Sequence, residues 1–368
     1  MLVSFFTGFE KLKEMPKYPI TPSRNNSRRN FLTKVGLGLA AASIPVSVRA
    51  NQSNYQPASN TRMNTSEKVF IPVMLTTYHQ DGSIDYDGMS KLMDFYLHAG
   101  AKGFFANCLS SEMYHLTDGE KLKLTKHVVE HVNGKIPVVA SGSFGDTIKA
   151  KADFTKRIID TGVDAVILIS SHFAEKEDSD TRLIQHLDDF MLQTEGIPLG
   201  TYECPSPYKR VITPEIMKFL VASGKFIYHK DTTEDINQIK AKIDLAKGGS
   251  LGLYNAHIGS AAESLQYGGA GLSPIAGNFY PEIITWMCEN ATDPKKKADV
   301  DWLQNELREA ETKIGSQYQL GARYFLSRRG FSTPLVSRGT PDTLAPEQAR
   351  VLDALLVKVK AWHERLEI

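Results

Sequence analysis

Short apolar runs alternate with longer segments of helical periodicity from Glu67 onwards. Such runs predict buried β-strands, and amphipathic segments of ten or more residues predict the helices that cover them. The predicted strands are Val69–Leu75, Gly103–Ala106, Pro137–Ala140, Ala165–Ile169, Pro198–Thr201, Phe226–Tyr228, Leu251–Tyr254 and Gly271–Ile275. The predicted helices between them are Tyr86–His98, Thr117–Val132, Ile148–Thr161, Arg182–Gln193, Thr213–Ala222, Thr233–Lys247 and Ala261–Tyr267. Eight strands with seven intervening helices favour a closed (β/α)8 TIM barrel over residues 67–280.

A helical C-terminal extension, residues 281–368, follows the predicted barrel. Its helices are predicted at Pro281–Asn290, Lys297–Leu326 and Pro346–Leu366. The last of these places its apolar residues on one face, which should pack against the barrel or a partner chain. A doubly wound sheet would show the same alternation, but its Gly-rich dinucleotide turn is absent, and 141–145 lacks the Lys-Ser/Thr of a P-loop.

The first 50 residues have the layout of a twin-arginine export signal. Arg28-Arg29 precedes the moderately apolar stretch Val35–Val46, and small residues follow around Ala50. A membrane anchor or an amphipathic helix is the alternative, but the apolar run is short for a bilayer. We therefore expect residues 1–50 to be removed on export, residues 51–66 to be a flexible lead-in, and the mature protein to be periplasmic or extracellular and free of the membrane.

Charge and cysteine content narrow the kinds of partner. The net charge of +1 provides no strong field for nucleic acid or an anionic membrane. Cys108, Cys204 and Cys288 have no metal-ligand spacing and are expected to be free, buried thiols. A small molecule is the expected partner, without a metal.

Lys230 is the residue on which the chemical interpretation depends. The apolar run Phe226–Tyr228 predicts a buried strand, and Asp231, Thr232 and Thr233 are N-cap candidates for a following helix. Lys230 thus falls at the strand end where catalytic groups collect in TIM barrels. Burial there disfavours the ammonium, and a neutral amine can attack a carbonyl. A solvated or salt-bridged lysine is the alternative.

Five segments of the chain occur in the order and spacing of one known family. They are Phe70–Tyr78 with Asp81–Asp85, Cys108–Thr117, Gly200–Pro205, His229–Thr232 and Tyr267–Asn278. Through them the chain resembles the dihydrodipicolinate synthase and N-acetylneuraminate lyase family of class I, Schiff-base aldolases, over roughly Val69 to Leu366. The resemblance implies a homo-oligomer, a tetramer or dimer.

The resemblance also implies a site and a reaction. Lys230 would form a covalent imine with a 2-oxo acid such as pyruvate, without a cofactor, and Tyr202 would transfer protons. A cationic lysine or iminium nearby should favour the phenolate of Tyr202, although a half-buried structural tyrosine is the alternative. Leu109 and Ser110 correspond to the Ser/Thr-Thr pair that binds the substrate carboxylate, and only Ser110 keeps a hydroxyl. Ser273 is a further substrate-binding candidate.

Departures from the family pattern narrow the expected activity. The Pro-Tyr-Tyr element reads Ser171-His172-Phe173, so a relay tyrosine is missing; His172 is either a substitute acid or base or a surface histidine. Glu203 replaces an asparagine, and Pro207 replaces the arginine that holds the synthases' second substrate. Glu112 is kept, and we expect it to accept hydrogen bonds from nearby backbone or hydroxyl donors. With export, these changes favour sugar-acid catabolism over lysine biosynthesis.

Three functional hypotheses stay open at this point. The first is a lyase of the aldolase type, with a dehydratase acting on the same imine as its variant. The second is a barrel that binds a small acid without turning it over, because several relay residues are changed. The third is a metal-dependent hydrolase that uses His115, His172, His229 or His257, although the chain has no His-x-His on an early strand.

Overall fold

The computed structural model describes residues 67–315, 317–340 and 343–368. Eight parallel strands form one sheet in the order β1-β8-β7-β6-β5-β4-β3-β2. They are β1 (Val69–Phe70), β2 (Phe104–Phe105), β3 (Val138–Ser141), β4 (Ala165–Ile169), β5 (Leu199–Tyr202), β6 (Phe226–Asp231), β7 (Gly252–Asn255) and β8 (Gly271–Leu272). A parallel bridge between Val73 and Phe105 joins the continuation of β1 to β2. The sheet therefore closes on itself, and the predicted TIM barrel is confirmed.

Helices follow the strands in turn. They are α1 (Tyr86–His98), α2 (Asp118–Val132), α3 (Ile148–Ile159), α4 (Asp180–Gln193), α5 (Pro214–Ser223), α6 (Ile236–Ala246), α7 (Ala261–Tyr267) and α8 (Pro281–Asn290). Side-chain caps fix several starts; Thr117, for example, forms a reciprocal capping box with Glu120. Helix α8 packs against β1 and β8, the first and last strands, which pair with each other.

Several predicted elements differ from the structure, and three of the differences change the picture. The β1 ladder has two residues instead of seven, partly because Pro72 has no N–H to donate to it. The predicted N-caps Asp231, Thr232 and Thr233 are wrong: β6 runs through Asp231, and Asp235 caps α6. The predicted helix Lys297–Leu326 is two helices, α9 (Lys297–Glu311) and α10 (Tyr318–Arg328). Between them Gly315 adopts a φ of 73°, a conformation that favours glycine.

Aromatic side chains fill the barrel interior. Tyr228 stacks on Tyr254 with 4.4 Å between ring centroids, and Phe105 meets the edges of Tyr202 and Tyr228. Alternation along β6 places Tyr228 in this core, while His229 faces outward and hydrogen-bonds Thr201 of β5. The inward positions of β6 therefore lead directly to Lys230.

The last helix, α11 (Pro346–Leu366), buries its predicted apolar face against other C-terminal helices, whereas the barrel or a partner chain was expected. Leu352, Leu355, Val359 and Trp362 are buried, and α11 packs against α9 and α10. All three cysteines are free and buried, which confirms the expectation. Among the described residues, no helix has both the length and the apolarity needed to cross a bilayer. The predicted export signal and lead-in, residues 1–66, lie outside the described part of the chain.

Candidate active site

Lys230 lies inside the barrel at the carboxyl end of β6. Its side chain is buried, with only 3% of the residue exposed, and Nζ lies 4.5 Å from the centroid of the Tyr202 ring. The β5–β6 register pairs Tyr202 with Lys230 directly, so the barrel itself sets the two residues side by side. Phe105 forms another wall, 6.0 Å from Nζ. The structure thus brings together the two residues predicted to be catalytic.

The Lys230 amine is held in an environment that favours its neutral form. Burial lowers the pKa of Lys230 to about 8, although the Cys108 and Cys204 thiols act in the opposite direction. Within the part of the chain that the structure describes, Nζ makes no hydrogen bond or ion pair. About half of the amines are neutral at pH 8, against well under 1% for an ordinary lysine.

Tyr202 is a neutral phenol in this structure, so the unmodified Lys230 does not produce the phenolate, and the predicted effect of an iminium stays a prediction. Burial raises the pKa of Tyr202 well above its ordinary value, and the neighbouring Cys204, Cys108 and Tyr318 raise it further. The cost of burying a phenolate outweighs its attraction to the adjacent amine. Tyr202 is therefore poised to donate a proton before it accepts one.

Ser110 and Leu109 lie in the turn after β2. Ser110 is buried, and its Oγ accepts a hydrogen bond of 2.6 Å from the hydroxyl of Tyr318. Leu109 packs against the interior cluster and offers only its backbone. In residues 67–315, 317–340 and 343–368, the N–H groups of Leu109 and Ser110 donate no hydrogen bond. Two N–H groups and one hydroxyl are consequently available at this turn for an anion.

Ser273 is engaged by protein groups. Its Oγ donates to the carbonyl of Ile71 at 2.8 Å and accepts from the hydroxyl of Tyr228 at 3.1 Å. These bonds tie the end of β8 to β1 and β6 across the interior. The substrate-binding role of Ser273 stays a prediction.

His172 is partly buried and belongs to a hydrogen-bonded chain at the barrel mouth. Its Nδ1 lies 2.6 Å from the carbonyl oxygen of Ser143, which assigns the proton to Nδ1. Its Nε2, 3.0 Å from the hydroxyl of Tyr114, is then an acceptor. Burial lowers the pKa of His172 to about 4, so the ring is neutral near pH 7. The hydroxyl of Tyr114, which lies 2.8 Å from the carbonyl oxygen of Ser206 as well, shares its one proton between these two acceptors. Tyr114 was not identified from the sequence.

Glu112 fastens the C-terminal region to the barrel. Its carboxylate accepts from Arg323 of α10 at 2.6 Å and from the hydroxyl and two N–H groups of residues 337–339 at 2.6–2.9 Å. We call Glu112, Arg323 and 337–339 the Glu112 clasp. The predicted structural role of Glu112 is confirmed. Glu112 itself takes the left-handed conformation of the turn, with φ of 59°, so Ser111 needs no glycine-like backbone.

A buried charge cluster lies behind β6, on the side that faces α6. The ammonium of Lys242 donates to Glu203 at 2.5 Å and to Asp231 at 2.7 Å, and His229 lies 3.6 and 3.7 Å from the same carboxylates. Burial alone would lower the pKa of Lys242, but the two carboxylates raise it above its ordinary value. Lys242 thus supplies the positive charge that these acids require.

This cluster is also the one group in the described residues whose side chains are spaced to ligate a metal. The Lys242 ammonium occupies the position between its carboxylates, and the cluster lies outside the barrel interior. His257 is elsewhere, 3.1 Å from Glu311, and His115 packs beside Gly339. The four histidines of the metal-hydrolase hypothesis are not brought together.

Comparison with known proteins supports the same family. Residues 66–331 match the family described as the dihydrodipicolinate synthetase family. The chain is 28% identical over 218 residues to 4-hydroxy-tetrahydrodipicolinate synthase of Cellvibrio japonicus, covering 59% of this chain and 73% of the relative. It is 27% identical over 214 residues to the synthase of Staphylococcus carnosus, covering 57% and 70%.

Solved structures show the same fold. YagE, a prophage protein of the dihydrodipicolinic acid synthase family from Escherichia coli K12 in complex with pyruvate, aligns with a TM-score of 0.71 at 20% identity, covering 80% of this chain and 98% of that one. A structure described as the first monomeric dihydrodipicolinate synthase variant gives 0.73 at 16% identity, covering 82% and 98%. The family match extends over most of the chain and includes the turn after β2, Tyr202 and Lys230. The chain therefore belongs to the dihydrodipicolinate synthetase family, a family of Schiff-base aldolases.

Proposed function

We propose that the protein is a Schiff-base lyase that cleaves or forms a carbon–carbon bond next to a pyruvate-like 2-oxo acid. The observation that carries this proposal is the buried Lys230 amine, unpaired among the described residues, lying against the Tyr202 ring. A buried amine without a counter-ion costs stability, and such a cost is typical of a functional site. Family membership supports the same chemistry.

Because Tyr202 is a neutral phenol, the proton transfers of the reaction follow a defined order. The Lys230 amine attacks the substrate carbonyl and forms a carbinolamine. Tyr202 donates its proton to the departing hydroxyl, which leaves as water, and an iminium and a phenolate remain. The phenolate then removes the proton from the substrate hydroxyl as the carbon–carbon bond breaks, and the iminium accepts the electron pair. The positive charge of the iminium stabilises the phenolate that burial otherwise disfavours.

The turn after β2 would hold the substrate carboxylate. Its hydroxyl and two N–H groups, from Ser110 and Leu109, point to a group of negative charge. A carboxylate fixed there would orient the neighbouring carbonyl carbon towards Lys230. This supports a 2-oxo acid in preference to a simple aldehyde or ketone.

The residues around the rest of the barrel mouth favour a sugar-derived substrate over the substrate of the lysine-pathway synthases. Glu203 points away from the interior to Lys242, and Pro207 offers no cation for a second carboxylate. Tyr114 and the neutral His172 present a hydrogen-bonding surface suited to hydroxyl groups. A dehydratase would use the same imine and expel a hydroxyl of the substrate in place of an aldehyde.

Borohydride trapping tests the proposal. The purified protein is incubated with pyruvate and sodium borohydride, and the modified residue is located by mass spectrometry. We expect a stable adduct on Lys230 that Lys230→Ala abolishes. An adduct that persists in Lys230→Ala would refute the assignment, and no adduct with any 2-oxo acid would favour the binding-only hypothesis. Release of pyruvate from 2-oxo-3-deoxy sugar acids then separates lyase from dehydratase.

We also propose that the protein is exported by the twin-arginine route and acts outside the cytoplasm. Arg28-Arg29 and the apolar run Val35–Val46 support this proposal. Replacing both arginines by lysine should retain the protein in the cytoplasm, as measured by cell fractionation, whereas unchanged export would contradict it. We further propose a homo-oligomer, to be measured by light scattering. A monomer would be compatible with the fold, because one similar structure is described as monomeric.

A further inference from the structure

A tyrosine from the C-terminal helices reaches the turn that holds the candidate carboxylate site. Tyr318 is the first residue of α10, and its hydroxyl donates to Ser110 Oγ at 2.6 Å, across 208 residues of sequence. Tyr318 is also one of the neighbours that raise the pKa of Tyr202, after burial as the main cause. The barrel alone therefore does not complete the polar environment of the site.

This hydrogen bond decides what the Ser110 hydroxyl can do. A serine hydroxyl has one proton and two lone pairs, and here one lone pair is used by Tyr318. Among the described residues, Ser110 Oγ has no other hydrogen-bond partner. Its own proton is therefore free for an acceptor, although the residue is only 2% exposed. A buried donor without an acceptor is costly unless a ligand supplies one.

The position of Tyr318 is fixed by the Glu112 clasp. Arg323, five residues further along α10, donates to Glu112 at 2.6 Å and to the carbonyl of Thr76 at 2.7 Å. Glu112 lies only two residues after Ser110. The short segment 110–112 is consequently bound to α10 at both of its ends, and the tyrosine cannot drift from the serine without breaking a buried ion pair.

We propose that Tyr318 is a positioning residue for the substrate carboxylate, supplied to the barrel by a helix of the same chain. By donating to Ser110, it directs the serine proton towards the anion and strengthens that donor through a continuous hydrogen-bonded series. This inference rests on the proposed 2-oxo acid chemistry and adds to it a residue that lies beyond the barrel motifs.

Matched variants test the proposal by borohydride trapping on Lys230. Tyr318→Phe removes the hydroxyl and keeps the ring. Tyr324→Phe, on the same helix, removes a hydroxyl that donates to Asp353 and serves as the control. We expect Tyr318→Phe to raise the pyruvate concentration for half-maximal trapping about 10-fold, as for loss of a hydrogen bond that supports a charged acceptor. Tyr324→Phe should leave it unchanged.

A ketone without a carboxylate distinguishes a role of Tyr318 in positioning the carboxylate from a general effect of Tyr318 on the structure of the site. Trapping of acetone should be the same in wild type and Tyr318→Phe, because no anion is bound. In a Ser110→Ala background, Tyr318→Phe should add less than about 2-fold, since the two residues act as one unit.

Two outcomes overturn the inference while leaving the proposed function intact. One is wild-type trapping of pyruvate with an unchanged half-maximal concentration in Tyr318→Phe. The other is an equal loss with acetone, which would mean that the tyrosine only supports the fold. Absence of a Lys230 adduct in the wild type, with every 2-oxo acid tried, would instead overturn the proposed function itself.

Discussion

Replacing Lys230 by methionine should stabilise the protein near neutral pH. Methionine keeps the length of the side chain and removes a charge that the site does not neutralise. The pKa of Lys230 is about 8 in the folded protein, against the ordinary lysine value of 10.5. That difference corresponds to a destabilisation of about 3 kcal/mol wherever both states are protonated, that is, below about pH 8.

The sign of the pH dependence follows from these two values. Between about pH 8 and pH 10.5 the unfolded chain keeps its Lys230 proton while the folded protein loses it. The unfolded state therefore binds more protons, and the wild type gains stability relative to Lys230→Met as the pH rises. We expect the advantage of the variant to be largest at pH 7 and to shrink towards pH 10.

The free energy of unfolding of wild type and Lys230→Met is measured with denaturant at pH 7 and at pH 10. Subtracting one protein's value from the other's at each pH cancels the titration of groups that the two proteins share. Lys242→Met is the matched control, because Lys242 is equally buried but paired with Glu203 and Asp231. Its loss should destabilise the protein by about 3–5 kcal/mol, since two buried carboxylates lose their cation. A Lys230→Met protein that is no more stable than wild type at pH 7, or whose gain is independent of pH, would refute the reasoning.

Three further predictions concern other groups. Tyr202→Phe should lower kcat by about 10²- to 10⁴-fold through loss of proton transfer, while the Lys230 adduct still forms but more slowly, because the departing hydroxyl is no longer protonated by Tyr202; full turnover would remove Tyr202 from the mechanism. Glu112→Ala should lower the free energy of unfolding by about 3–5 kcal/mol, because Arg323 loses its buried partner; a change below 1 kcal/mol in denaturant unfolding would show the clasp to be unimportant. His172, with its pKa lowered to about 4, resists protonation in the folded state, so the wild type should lose more stability than His172→Asn between pH 7 and pH 4; equal losses in the same assay would contradict the assignment.

The elements that the sequence predicted well carry their signal locally. Tyr86–His98 has a clear apolar period and an Asp85 cap, and Ala165–Ile169 is a continuous apolar run; both have the predicted bounds. The end of β6 was misjudged because its residues are polar. Asp231 is a buried strand residue whose charge is neutralised by Lys242, eleven positions later. A partner at this distance along the chain cannot be identified from a local residue pattern.

The residues of the candidate site likewise fall into those that a local sequence signal identified and those that depend on distant partners. Lys230 and Tyr202 were predicted from motif order, and the β5–β6 register places them together. Tyr318 was missed because the predicted helix Lys297–Leu326 ran through it, and Gly315 was the signal that marked the break. The neutral state of Tyr202 beside the unmodified Lys230 was not predicted, because a sequence reveals neighbours along a strand but not how completely they are buried.

The Lys242 cluster has a consequence for tracing relatives of this protein. An acidic side chain at position 203 would be an uncompensated charge inside the wall of the barrel without the ammonium from α6. Related chains that exchange asparagine for glutamate at this position should therefore also have acquired a basic residue in α6, three elements later. The two positions should therefore change together among related chains, because neither charge is tolerated in the barrel wall without the other.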